Sequence, residues 1–223
     1  MENKQLIIFD FCETLVNIQT ADNFVLWVLD KEKVNSKFQL DFIQTLKKIK
    51  FITILNVLFP RLNFEKRLML RLLKNLSQET ISKNAKNYAQ WLKGKWILEL
   101  KDLFMMHVDT GAKIVVISGG YEIYLKHFFA EFPEVVVFGT KIEFKNGKLT
   151  GKFDGKDCMF QEKVNILNRW IETSGENMEK SVVFSDSISD LPLLKWANEG
   201  FVVSHKKEQN WSEMNNLKEI IWV

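Results

Sequence analysis

The sequence predicts a doubly wound α/β fold, with a mostly parallel sheet covered by helices and an all-helical domain inserted into it. Three observations predict this. Short apolar runs without polar alternation recur at "QLIIF" (5–9), "KIVVIS" (113–118), "EVVVF" (134–138), "SVVFS" (181–185) and "GFVVS" (200–204), as in strands buried on both faces. Helix-like segments at about 121–131, 161–174, 188–197 and 211–221 separate them, and strands alternating with helices build parallel sheets. Residues 16–95 break that rhythm: they hold one glycine (Gly94), one proline (Pro60) and no strand-like run.

In chain order, the first strand ends on Asp10 and opens into Phe11-Cys12-Glu13-Thr14. The segment 16–95 then reads as successive amphipathic helices with basic faces. "FEKRLMLRLLKNL" (64–76) places Leu68, Leu72 and Leu76 on one side, with Arg67, Arg71 and Lys74 elsewhere. A second strand closes on "SGG" (118–120). "TKIEFKNGKLTGKF" alternates and carries Asn146-Gly147, a hairpin signal. "FQEKVNIL" (160–167) sets Lys163 near the start of a helix, with Lys156 a nearby competitor, and "SDSISDLPLL" (185–194) follows the next strand. There is no internal repeat or low-complexity tract.

Bulk properties narrow the function classes. With 46% hydrophobic and 26% charged residues the chain is a folded, soluble type. A net charge of +3 does not support nucleic-acid binding. Two cysteines, Cys12 and Cys158, are too few for a disulfide scaffold and suit a reducing compartment. The opening apolar run is interrupted too soon by Asp10 for a signal peptide, and no run reaches the ~18 apolar residues of a membrane span. A cytoplasmic protein is expected.

Polar groups recur where strands end: Asp10, Ser118 and Asp186. That edge of an open α/β sheet is where ligands bind. Asp186 and Asp190, four apart across a strand-to-helix turn, can face one point together with Asp10. Three close carboxylates repel unless a cation neutralises them, and an all-oxygen set favours a hard ion such as Mg2+. The bland readings are a helix cap at Asp186 or Ser187, a solvated first-turn Asp190, an ordinary glycine turn at 118–120 and a solvated Lys163. Trp27, Trp91 and Trp96 read as packing residues. Cys158, His107, His127 and His205 lack metal-ligand spacing.

Taken together, Asp10-Phe11-Cys12-Glu13-Thr14-Leu15, "VVISGG", Lys163 and "SDSISDLPLL" resemble the four motifs of the haloacid dehalogenase-like (HAD) hydrolase superfamily. The helical insert and the segment before Lys163 are similar to its subfamily IB, the phosphoserine-phosphatase-like group. The resemblance covers nearly the whole chain. It implies a HAD-like, Rossmannoid core (1–15 and 96–223) with a C1-type cap (16–95). It implies Mg2+-dependent hydrolysis of a small-molecule phosphate monoester (a sugar, amino-acid or lipid phosphate) through an aspartyl-phosphate on Asp10. Mg2+ would be held by Asp10, the Cys12 carbonyl and Asp186, with Asp190 supporting; Ser118, Gly119 and Lys163 would bind phosphate.

Three departures stand out. Cys12 occupies the position where the family's phosphatases usually carry a second Asp that protonates the leaving group, Glu13 replaces the usual Gly, and Ser185 replaces a usual Gly. Three readings of Cys12 compete: a phosphatase for good leaving groups, or with another acid such as Glu13 or a cap residue; a protein that binds a phosphorylated ligand or partner without efficient turnover; a dehalogenase, which the Asp186/Asp190 pair disfavours. The basic, Leu-, Phe- and Ile-rich stretch 46–73 reads first as a bundle core with a solvated cationic face, and second as a surface for peripheral membrane contact.

Overall fold

The computed structural model describes residues 5–59, 62–175, 180–207 and 209–223. The strands are β1 (Gln5–Phe9), β2 (Lys113–Tyr121), β3 (Val136–Thr140), β4 (Ile142–Lys145), β5 (Lys148–Phe153), β6 (Lys180–Ser185), β7 (Glu199–His205) and β8 (Lys218–Trp222). Six of them form one parallel sheet in the order β3-β2-β1-β6-β7-β8. The helices are α1 (Thr20–Lys31), α2 (Lys37–Lys48), α3 (Phe51–Leu58), α4 (Phe64–Arg71), α5 (Gln78–Leu92), α6 (Leu98–Asp109), α7 (Glu122–Phe128), α8 (Gln161–Ser174), α9 (Leu191–Trp196) and α10 (Asn210–Met214).

The unbroken apolar character of β1 has a direct cause. Ile7 and Phe9 pack on one face with Phe104, Phe128 and Phe184, while Leu6 and Ile8 pack on the other with Leu167, Leu193 and Leu194. Both faces are covered, so neither parity of the strand can be polar. Register places Phe9 between Val116 and Phe184. The strand order reverses at β1, and the first residue beyond it, Asp10, donates its amide to Phe184 O at 2.9 Å.

Helices α1–α5 all lie between β1 and β2. The chain enters and leaves this insert side by side: Asn17 donates to Lys95 O and Ile97 to Leu15 O, both at 2.9 Å. Ser77 caps α5 through the Thr80 amide at 3.0 Å. The β4–β5 hairpin turns on Asn146 and Gly147, both at positive φ (50° and 72°), as a two-residue primed turn requires. It hydrogen-bonds the insert, with Asn75 donating to Leu149 O (2.8 Å) and Leu149 to Leu76 O (2.9 Å).

Three details differ from the sequence reading. The stretch 64–76 is not one helix: α4 ends at Arg71, and its buried side is Lys66, Met69 and Leu70, joined by Leu73, whereas Leu68, Leu72 and Leu76 are only partly buried. The turn through Asn75 (φ 72°) breaks the 3.6-residue period that the leucine spacing assumed. The segment 211–221 is not one helix either. It splits at Asn215-Asn216, with Asn216 at φ 54°, into α10 and the edge strand β8, and "KEIIW" follows its β-branched and aromatic content into the sheet. Lastly, β2 runs through "SGG" to Tyr121, which shortens the following helix to Glu122–Phe128. No helix among the described residues is long and apolar enough to cross a membrane.

Candidate active site

The C-terminal ends of β1, β2 and β6 converge on a cavity of about 280 Å3. Asp10, Cys12, Ser118, Gly119, Lys163, Asp186 and Asp190 all line it, so every residue singled out from the motifs faces one space. The insert supplies the opposite wall through Gln19, Ala21, Asp22, Asn63, Glu65 and Lys66.

Lys163 sits in the first turn of α8, buried between two carboxylates: Nζ lies 2.8 Å from Asp10 Oδ1 and 2.5 Å from Asp190 Oδ2. These partners offset its burial and keep it protonated. Its competitor Lys156 is exposed and pairs with Glu162 at 3.3 Å. Asp190 Oδ2 also accepts from Ser185 Oγ at 2.7 Å, which gives the serine at the usual glycine position a structural use. Asp190 Oδ1 is buried with no hydrogen-bond partner among the described residues. Asp186 is oriented by Thr14, whose hydroxyl donates to Oδ1 (2.8 Å) and accepts from the Asp186 amide (3.0 Å). The bland readings hold in one place only: Ser187 caps the following helical turn, its hydroxyl accepting from the Ser189 amide at 3.2 Å, whereas Asp190 and Lys163 are buried and Asp186 is held by a residue of the first motif.

Electrostatics adds to this. Burial pushes Asp10 up to about 6 against the pull of Lys163. Burial, then the charge of Asp10, pushes Asp186 up to about 8. Carboxylates crowded in this way fit a cation. Among the described residues no three or more His, Cys, Asp or Glu side chains form a metal cage, and Asp190 is engaged by Lys163. The donor set thus suits Mg2+ held by one or two carboxylates, a carbonyl and waters rather than an all-side-chain site.

Small residues at the end of β2 are required sterically, since a Cβ on Gly120 would collide with Tyr124 Oη. Ser118 Oγ accepts from the Gly120 amide at 3.1 Å. The Cys12 thiol is 2.9 Å from Thr20 Oγ1, which is 2.6 Å from Tyr124 Oη; Ser118 Oγ is 3.6 Å away. Burial raises the thiol further, then the charge of Asp10, so it stays protonated. Glu13 is exposed, bonds Gln19, and lies outside the main cavity in an adjoining groove with Asn17, Asp186, His205 and Trp222.

Sequence reasoning missed two features. Lys66, which falls in the stretch 46–73 read as a bundle with a solvated cationic face, is buried. Its ammonium donates to Gly119 O, Asp157 Oδ1 and Thr140 Oγ1 (2.8 Å for the last), joining α4 to the glycine turn and to the loop before α8. Its position at the start of α4, one turn before the buried Met69 and Leu70, was the available signal. The second is a carboxyl pair on the insert wall. Asp22 hydrogen-bonds Glu65, which forms an ion pair with Lys47. Burial, then that hydrogen bond, lifts Asp22 to about 6.

Comparison with known proteins follows the same lines. A family model described as haloacid dehalogenase-like hydrolase matches residues 7–195. The chain is 30% identical over 199 residues to the phosphoserine phosphatase of Methanocaldococcus jannaschii, covering 88% of this chain and 83% of that protein. It is 29% identical over 124 residues to the histidinol-phosphatase of Neisseria meningitidis serogroup C, covering 51% and 56% respectively. Among solved structures, a Bordetella pertussis protein described as of unknown function superposes with a TM-score of 0.80 at 16% identity, covering 98% of both chains.

Proposed function

The chain belongs to the haloacid dehalogenase-like hydrolase family, and from that premise we propose that it is a Mg2+-dependent phosphohydrolase acting on a small-molecule phosphate monoester. The observation that carries this is the Asp10 carboxylate, buried at the reversal of strand order, held by Lys163 at 2.8 Å and facing the same cavity as Ser118, Gly119, Asp186 and Asp190. In this reading the insert, residues 16–95, is the cap. The phosphoserine and histidinol phosphatases among its relatives support an amino-acid-type or other small ester as substrate, and two free, buried thiols suit a reducing, cytoplasmic setting.

Asp10, the Cys12 carbonyl and Asp186 would hold Mg2+, with Asp190 supporting. Once bound, the ion supplies charge that offsets repulsion between the carboxylate and the phosphoryl oxygens. Lys163, by engaging Oδ1, fixes the rotation of the Asp10 carboxylate. Asp10 attacks phosphorus, the bond from phosphorus to the ester oxygen breaks, and an aspartyl-phosphate forms. Ser118 Oγ, the Gly119 amide and Lys163 stabilise the transferring oxygens. The leaving oxygen needs a proton. A free thiol, with a pKa near 8.5, is a poor source for an alkoxide. Asp22, which lines the same cavity and is lifted to about 6 by burial and by Glu65, takes that role. Water then attacks the aspartyl-phosphate, returns a proton to Asp22 and releases inorganic phosphate.

An aryl phosphate assay with and without Mg2+ tests the reading. Aryl phosphates leave with little protonation, so turnover that requires the ion is expected despite Cys12. No turnover with the ion bound would instead favour a protein that binds phosphorylated ligands without hydrolysing them.

A further inference from the structure

The outward side of the insert is built unlike the rest of the surface. On α2 and the Ile49 that caps its C-terminus, Phe38 (82% exposed), Phe42 and Ile49 fall on one stripe, spaced four and seven residues apart. A separate stripe of the same helix, Ile43 with Leu40 and Leu46, faces the core. On α3, which packs against α2, Ile54, Val57 (73%) and Leu58 (63%) share one face, and Phe59 and Leu62 are exposed as well. Large exposed apolar side chains concentrated in this way mark an interaction surface.

Charge selects the partner. From residue 37 to 59 the sequence carries four lysines (Lys37, Lys47, Lys48 and Lys50) against one acid, Asp41. On the helical wheel Lys37 and Lys48 lie together on one side of the Phe38–Phe42–Ile49 stripe, beyond the exposed Asp41, and their long stems can lie along apolar surface with the ammonium groups outward. Aromatic and aliphatic residues on one face, with Lys37 and Lys48 along one side and Lys50 beyond the helix end against a single acid, match the boundary of an anionic bilayer, apolar below and negatively charged above. The face also adjoins the active site. Leu62 directly precedes Asn63, which lines the cavity, and Lys47 pairs with Glu65 on its wall.

We propose that the α2–α3 face docks the protein on anionic lipid bilayers, with the mouth of the cavity set near the headgroups. Docking itself is independent of the phosphohydrolase reading. If the two hold together, the ester can be presented at a membrane surface.

Co-sedimentation with phosphatidylglycerol–phosphatidylcholine vesicles tests this. Wild type is expected to bind, to bind pure phosphatidylcholine vesicles more weakly, and to be partly released by salt. The double variant Phe38→Ser/Val57→Ser should lose about tenfold or more in partitioning, and Lys48→Glu should weaken binding to the anionic vesicles alone. Both leave the cavity intact, so unchanged aryl phosphate turnover and circular dichroism verify folding. Wild type that stays in the supernatant, or variants that partition like wild type, would overturn the proposal. So would a wild-type dimer, seen by light scattering, that the double variant dissociates, because the face would then belong to a second copy.

Discussion

Cys12 is the residue on which the chemistry turns. Its thiol is buried beside Thr20 and Ser118, whereas Asp22 presents a carboxyl to the same cavity. Around Asp22 stand Glu65 and Lys66 from α4, Lys47 from α2 and the Tyr121 ring at the end of β2. Burial and Glu65 outweigh the two lysines, so the folded pKa lies above the ordinary carboxylate value. A raised acid is protonated below about 6 and loses its proton as pH rises. The ratio of alkyl to aryl kcat should therefore fall as pH rises past about 6, since deprotonation of Asp10 and Asp186 affects both esters alike. Asp22→Asn should lower alkyl turnover more than aryl turnover, moving their ratio by about 10²-fold, and in a Cys12→Asp background that change should shrink. Equal losses on both esters, or a raised KM with kcat retained, would mean that Asp22 only binds substrate. Glu13 carries a simpler prediction. It holds φ 55°, a conformation that favours glycine, so Glu13→Gly should raise the unfolding free energy by about 1 kcal/mol in denaturant titration.

At the level of elements, the motif-bearing strands and Lys163's helix were legible because parallel strands covered on both faces announce themselves as unbroken apolar runs. The Asn146-Gly147 turn was legible because its backbone requires those residue types. What could not be read was where local pattern and tertiary contact conflict. The leucine spacing at 68, 72 and 76 suggested an inward face, yet Lys66 is what enters the interior, since Asp157, Thr140 and the Gly119 carbonyl satisfy its charge. No spacing rule on a single segment foresees a partner ninety residues away. Likewise "KEIIW" becomes a strand because β7 offers a free edge. The Lys66–Asp157 pair joins the insert to the glycine turn. Lys66→Met should cost about 3 kcal/mol or more of stability by leaving Asp157 buried without its counter-ion. A loss within 1 kcal/mol in thermal or denaturant unfolding would show the pair to be dispensable.

For the whole molecule, the topology places the chemistry. The sheet reverses its strand order at β1, so the ends of β1, β2 and β6 open on one crevice, and a five-helix insert leaving just after β1 supplies the facing wall. That Asp10, Ser118 and Asp186 would meet was readable from their places at strand ends. That Asp190 would turn to Lys163 and Ser185, keeping one oxygen unpartnered, depended on the packing of α8 against α9. The central claim is that Asp10 is transiently phosphorylated. Acid quenching during aryl phosphate turnover with Mg2+, followed by peptide mass mapping, tests it most directly. A phosphoryl adduct on the peptide containing Asp10, absent from Asp10→Asn together with turnover, is the predicted result; turnover that persists in Asp10→Asn, or an adduct on another residue, would contradict it.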